Sequence, residues 1–155
     1  PLLSPETVER LKPFLPHTAS FGNPVDMTFA RNQGDYFAAI PDVLLREPGA
    51  DMLLLYILVP SLMIERSLEM MGLAPGDIAR ETDTLIETQT AALAALVGTH
   101  GKPVIGYTYR GIEEKFCRRL MEKGLPVFAG PERAARVLTA LTAYRQIVRR
   151  RAQAG

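Results

Sequence analysis

Met52 to Val59 is a nearly unbroken apolar run between Asp51 and Pro60, and it restricts the fold more than any other stretch. A half-exposed strand alternates polar and apolar residues. A run that is apolar throughout fits a strand buried on both faces, as in a parallel sheet covered by helices. Val104 to Tyr109, opened by Lys102-Pro103, and Val127 to Ala129, bracketed by Gly124 and Pro126, are predicted strands of the same kind. Between them a helix is predicted over Ile112 to Lys123, with Ile112, Phe116 and Leu120 on one face and Gly124 as its stop. After the last strand, Gly130-Pro131 opens a predicted helix reaching about Gln153, striped by Ala134, Leu138, Leu141 and Val148. Strands alternating with helices specify an α/β fold with right-handed crossovers.

The rest of the chain departs from that rhythm. Ser61 to Gly101 is too long for one crossover and reads as two helices, Ser61 to about Met71 and about Asp77 to Val97. Leu73-Ala74-Pro75-Gly76 divides them, and Ile78, Leu85, Ala92 and Leu96 form the apolar side of the second. At the amino end Ser4 is a candidate N-cap, Pro5 suits the first helical position, and Val8, Leu11 and Leu15 recur at helical spacing. A helix is also predicted over Asp35 to Arg46, with Tyr36, Phe37, Ile40 and Leu44 as its apolar face. Pro41 is expected to kink it, and Pro48-Gly49 to end it.

At 155 residues, 47% hydrophobic and 23% charged, the chain fits one globular domain with a core of its own. A net charge of +1 provides no global attraction to nucleic acid or to an anionic membrane, and neither is expected as a partner. The Arg145, Arg149-Arg150-Arg151 end reads as a solvated helix terminus. The single cysteine, Cys117, leaves no internal disulfide framework and points to a reducing, cytoplasmic setting. Met52 to Pro60 is far too short to span a bilayer.

Open α/β sheets bind ligands beyond the carboxyl ends of their strands. Thr28 to Gly34, Val59 to Leu62 and Thr108 to Glu113 are expected to meet there. Within Ser20 to Thr28, Asn23-Pro24 marks a turn, Val25 to Met27 is short and extended, and Asp26 and Thr28 supply side-chain oxygens where a helix could begin. That arrangement suits either an anion held on backbone N–H groups or a simple turn and helix cap. Ser61 is read as a helix cap or a phosphate contact, and Arg110-Gly111 as a cation and a flexible residue before a helix, or as plain surface. The phosphate-facing candidates are therefore Asp26, Thr28, Ser61, Arg110 and Gly111.

No catalytic residue is assigned. His17 and His100, the two histidines, have no nucleophile beside them in sequence, and no metal-ligand spacing or phosphate-binding glycine loop occurs. Cys117 reads as packing, Glu113-Glu114 as an acidic first helical turn, and Met63, Met70 and Met71 as core or as a pliable contact surface.

Four segments in order, Asn23-Pro24-Val25-Asp26-Met27-Thr28, Gly101-Lys102-Pro103-Val104, Gly124-Leu125-Pro126-Val127-Phe128 and Pro131-Glu132-Arg133-Ala134-Ala135, resemble the NDP-forming acyl-CoA synthetases. These are the ADP-forming acetate–CoA ligases related to succinyl-CoA synthetase. The resemblance is to the last flavodoxin-like domain of the α-type subunit, the ligase-CoA domain. It implies a three-layer α/β domain over 1–155 with a mainly parallel sheet, lacking its first strand–helix unit, and a fragment of a longer chain. In that family acyl-CoA exchanges CoA for phosphate, and the acyl phosphate phosphorylates a histidine that passes the group to ADP. The histidine lies in a preceding domain, so its role is not carried over to His17.

The resemblance further implies no cofactor held by this domain alone, with CoA, ATP or ADP and Mg used by the complete enzyme. CoA-binding, phosphohistidine and ATP-grasp domains are the expected partners, an oligomer is expected, and the isolated chain is expected to be inactive. A similar region occurs in protein acetyltransferase fusions, so a regulatory or scaffold role there, or a free-standing small-ligand-binding domain, is the alternative.

Overall fold

In a computed structural model, which describes residues 2–58 and 61–154, the apolar run becomes strand β1, Leu53–Tyr56. Its expected far end at Val59, with Pro60, lies outside the described residues. Strands β2, Val104–Thr108, and β3, Val127–Ala129, complete a parallel sheet in the order β1-β2-β3. Leu53 faces Val104 and Leu55 faces Gly106, while Gly106 faces Val127 across the other pairing. Side chains alternate along a strand, so Leu55, Ile57, Val104 and Val127 share the front of the sheet. Leu54, Tyr56, Ile105, Tyr107 and Phe128 share the back.

The front is the main core. Helices α3, Ser61–Met70, α4, Pro75–His100, and α5, Lys115–Glu122, bring Ile64, Leu68, Ile86, Leu93, Phe116 and Leu120 into one buried cluster with the strands. Phe116 lies against Phe37 with ring centroids 4.7 Å apart. The sheet is tight at Gly106, where a Cβ would come within 3.1 Å of both Ile57 and Val127 side-chain carbons and require them to give by a few tenths of an ångström. On the back, helix α6, Pro131–Ala154, contacts β2 and β3 and covers Ile105, which is buried.

A second, smaller core lies at the amino end. Helices α1, Pro5–Leu11, and α2, Ala39–Arg46, enclose Leu11, Leu15, Ile40 and Val43. Met27 packs against both cores. Ser4 caps α1, accepting from the Thr7 N–H at 3.3 Å, with Pro5 at the first helical position as expected. The buried Glu47 carboxylate holds this end shut, accepting from the Ser4 N–H at 2.9 Å and the Ser4 hydroxyl at 2.8 Å. Lys102 donates to the carbonyls of Leu45 and Glu47 at the end of α2, at 2.7 and 2.9 Å.

Several expected elements are moved. The helix predicted over Asp35 to Arg46 is split into a 3₁₀ turn, Gln33–Tyr36, and α2. Pro41 thereby falls in the first turn of α2, where its missing N–H is not needed by the helix. Thr28 starts no helix; Asn32 caps the 3₁₀ turn through the Gly34 N–H at 3.0 Å. On α4 the buried stripe is Thr82, Ile86, Thr90 and Leu93, and Leu85 is exposed, because the helix must face α3 and α5 together. The α5 helix starts at Lys115, which leaves Ile112 outside it and partly exposed. In α6 Ala134 is buried, whereas Leu141 and Val148 are exposed. Met63, Met70 and Met71 are on the surface, so core packing is excluded for them.

Candidate functional site

The segment Ser20 to Thr28 folds on itself before it reaches any strand. The Asn23–Pro24 peptide is cis, and the Asp26 N–H donates to the Ser20 carbonyl at 3.1 Å. Asp26 Oδ1 accepts from the Thr28 N–H at 2.9 Å and from the Thr28 hydroxyl at 2.6 Å. These bonds hold the exposed Asp26 carboxyl below its ordinary pKa, the Thr28 hydroxyl contributing most. The Asp26 and Thr28 N–H groups are thus both engaged within the loop, and the carboxylate repels an anion that approaches it directly.

A different pair of loops meets at the strand ends. Ser61, the first residue of α3, donates its N–H to Glu114 Oε1 at 2.7 Å, and its hydroxyl donates to the same oxygen. Glu114 Oε2 accepts from the Phe116 N–H at 2.9 Å, which makes Glu114 the N-cap of α5. One carboxylate therefore closes the starts of two helices, a position that helix dipoles favour for negative charge. Glu113-Glu114 is not an acidic first turn of α5: both precede the helix. The Ser61 donors are engaged, so a phosphate would reach Ser61 only by displacing Glu114.

Arg110 and Gly111 lie on the loop from β2 to Glu114. The Arg110 N–H donates to the buried Thr108 hydroxyl at 3.1 Å, and its exposed guanidinium has no ion-pair partner among the described residues. Thus Asp26 is joined to Thr28, and Ser61 to the end of the Arg110 loop through Glu114. No hydrogen bond or ion pair among the described residues links these two groups.

The sequence reading missed Glu114, because glutamate is a weak cap signal and its partner Ser61 is far away in the chain. It also missed a cleft of about 900 Å³ between Ser20 to Thr28 and the free edge of β1. Asp26, Thr28, Met27, Leu54, Tyr56 and Tyr107 are among its lining residues; Ser61 and Arg110 are not. The Tyr56 and Tyr107 rings stack there at 5.1 Å.

The remaining reactive groups are structurally committed or isolated. His100 Nε2 lies 2.7 Å from Asp42 Oδ1, and Arg46 holds the same carboxylate through Nε at 2.9 Å. That Arg46 contact, followed by the His100 bond, keeps the Asp42 carboxyl below its ordinary pKa despite partial burial. His17 is exposed in a turn. Cys117 is buried in the front core, and burial, with Glu114 and Glu113 nearby, pushes its thiol up to about 11, so it stays protonated at neutral pH. Among the described residues there is no group of three or more side chains suited to a metal ion, and no helix is long and apolar enough to cross a membrane.

No family model and no solved structure matches the chain. A curated protein does: the α subunit of ADP-forming acetate–CoA ligase II from Pyrococcus furiosus, 29% identical over 140 residues. The match takes in 90% of this chain but 27% of that subunit, so the chain spans about a quarter of its relative's length. The parallel sheet, the order of its crossovers and this similarity agree with one another. In sequence the chain is similar to the α subunit of an ADP-forming acetate–CoA ligase, and its three-stranded parallel sheet is consistent with a flavodoxin-like domain that lacks a strand.

Proposed function

We propose that residues 1–155 are a supporting domain of an NDP-forming acyl-CoA synthetase, inactive alone. Its loops at the strand ends assist phosphoryl transfer between an acyl phosphate, a phosphohistidine in another domain, and ADP. The similarity to an ADP-forming ligase subunit over 90% of the chain carries this reading. The chemistry of the loops supports it. Arg110 presents an uncommitted cation on a loop anchored at both ends, by Thr108 and by Glu114. Phosphoryl transfer depends mainly on positioned positive charge, so a domain without a nucleophile can contribute to the rate. CoA, nucleotide and Mg belong, on this reading, to the complete enzyme. Exposed Met63, Met70 and Met71 are a pliable contact surface for its other domains.

The test is made in two steps. Purified 1–155 is expected to form no acyl-CoA from acid, CoA and ATP; turnover lost in His17→Ala but kept in His100→Ala would overturn the placement of the histidine elsewhere. In the complete enzyme, Arg110→Ala is expected to slow single-turnover phosphorylation by roughly ten- to a hundredfold, the worth of one charge-assisted hydrogen bond. Its denaturant midpoint should hardly move. An unchanged rate reduces Arg110 to a surface residue.

A further inference from the structure

Helix α6 reaches well past the sheet it covers. It has 24 residues and is about 36 Å long, whereas β2 has 5 residues and spans about 16 Å. Its first turns pack on β2 and β3, where Ala134 is buried and Val137 and Leu138 are half-buried. Arg145 then comes within 3.8 Å of Asp51, just ahead of β1, so the later turns lie beyond the amino ends of the strands. Every residue from Thr139 to Gln153 is exposed.

This exposed half is not uniformly polar. Leu141, Tyr144 and Val148 follow one another at spacings of three and four, and they extend the line of Ala134 and Val137. Such a line is the narrow seam that one helix offers another, not the broad apolar face of a helix lying in a lipid surface. Ile147 borders the seam on one side, Arg145 and Arg149 border it on the other, and Arg151 continues it after Val148. Leu141, Tyr144, Ile147 and Val148 are each between 46% and 66% exposed. Six arginines stand in α6 against one acid, Glu132. Arg149, Arg150 and Arg151 have no ion-pair partner among the described residues, and the contact of Arg145 with Asp51 joins two exposed side chains.

We propose that this half of α6 is a docking face for an acidic amphipathic helix of another polypeptide, the two pairing side by side as a short coiled coil. Apolar residues of the partner meet Leu141, Tyr144 and Val148, and its carboxylates meet Arg145, Arg149 and Arg151. The chemistry of the occupant follows from what each alternative leaves unsatisfied. A second α6 would set arginines against arginines. A nucleic acid would neutralise the guanidinium groups but leave the seam in water. A lipid surface that buried Val148 would also take in Arg151, one turn further along the same line. An acidic helix supplies both the apolar line and the counter-charge. Because these turns lie beyond the strands, the partner stands outside the layers of the domain. The inference goes beyond the ligase reading and does not rest on it.

Titration of the full chain with a synthetic helix tests this. The probe is a peptide of about three heptads, with leucine at the seam positions and glutamate on both flanks, so that it repels its own copies. It is expected to bind at low salt and to lose affinity as salt is raised. A glutamine-flanked peptide, and one of the same composition in scrambled order, should each bind at least tenfold more weakly. Arg149→Gln, Arg150→Gln and Arg151→Gln together should weaken binding about tenfold, the combined worth of several exposed ion pairs. Leu141→Gln with Tyr144→Gln should weaken it as much. Both variants change exposed positions, so their melting temperatures should stay near that of the natural chain. Failure of the acidic peptide to bind, or equal binding of either control peptide, overturns the proposal. Tighter binding to vesicles of phosphatidylserine and phosphatidylcholine overturns it in favour of a lipid surface. Self-association abolished by Leu141→Gln overturns it in favour of a second copy.

Discussion

The two hydrophobic cores of this domain are built differently. The front core is gathered by regular elements, three strands and the helices α3, α4 and α5, whose buried residues recur with the period of the element that carries them. The amino-terminal core rests on two short helices, and Leu15, Val25 and Met27 come to it from segments outside any helix or strand. In the first, each side chain is placed by its neighbours along the helix or strand. In the second, placement depends on single polar contacts such as Glu47 with Ser4. Met27 packs against both, and the cleft beside β1 separates the segment that holds it from the sheet. The amino-terminal core therefore has fewer regular elements to place its side chains than the front core has.

The strongest challenge to that contrast is to open a cavity on each side. Phe116→Ala removes a fully buried ring tilted against that of Phe37 and is expected to cost about 3–5 kcal/mol, unfolding the domain as a whole. Leu11→Ala, equally buried, is expected to cost about 2–5 kcal/mol but to speed exchange in residues 2–46 while the amides of β2 keep their protection. Uniform acceleration over the whole domain would show that the two cores fold as one unit.

A smaller perturbation probes how tightly the front core is packed. The Cβ of Gly106→Ala would press on Ile57 and Val127 at 3.1 Å, for an expected loss of about 1–3 kcal/mol in a denaturant melt. No loss would mean that these side chains can move apart, and that the front core is less rigid than its regularity implies.

The smallest effect at neutral pH belongs to Glu47→Gln, since glutamine still accepts from Ser4. Its interest lies in acid. The Ser4 backbone bond, then those of the Thr7 and Ser4 hydroxyls and Gly49, bring the Glu47 carboxyl down from 4.5 to about 2. The folded state thus favours the ionised form. Its contribution is complete above about 4.5 and is lost as pH falls toward 2. Thermal melts across that window should show a steeper acid loss for the natural chain than for Glu47→Gln, with exchange rising first near α1. Parallel curves would remove Glu47 as the clasp of the amino-terminal half.

The sequence by itself determined the parallel sheet, its three strands and the pair of helices between Ser61 and Gly101. Runs such as Leu53 to Tyr56 fit few elements other than a parallel strand. The expected burial on both faces is not met, since only Leu55 of the four is fully buried and Leu54 is exposed. Signals such as Ser4-Pro5, Leu73 to Gly76 and Gly101 act locally. The candidate site was legible only in part. Asp26 and Thr28 sit two residues apart, and their mutual bonds are a local matter; the meeting of Ser61 with Glu114 across fifty-three positions is not. Tertiary structure alone decided that Glu114 occupies the start of α3, that α4 buries Ile86 and exposes Leu85, and that a cleft runs beside β1. The physical reason is the same in each case. Periodicity states that a residue has a face to bury, but which neighbour covers it depends on where distant elements pack, and beside β1 no described element does.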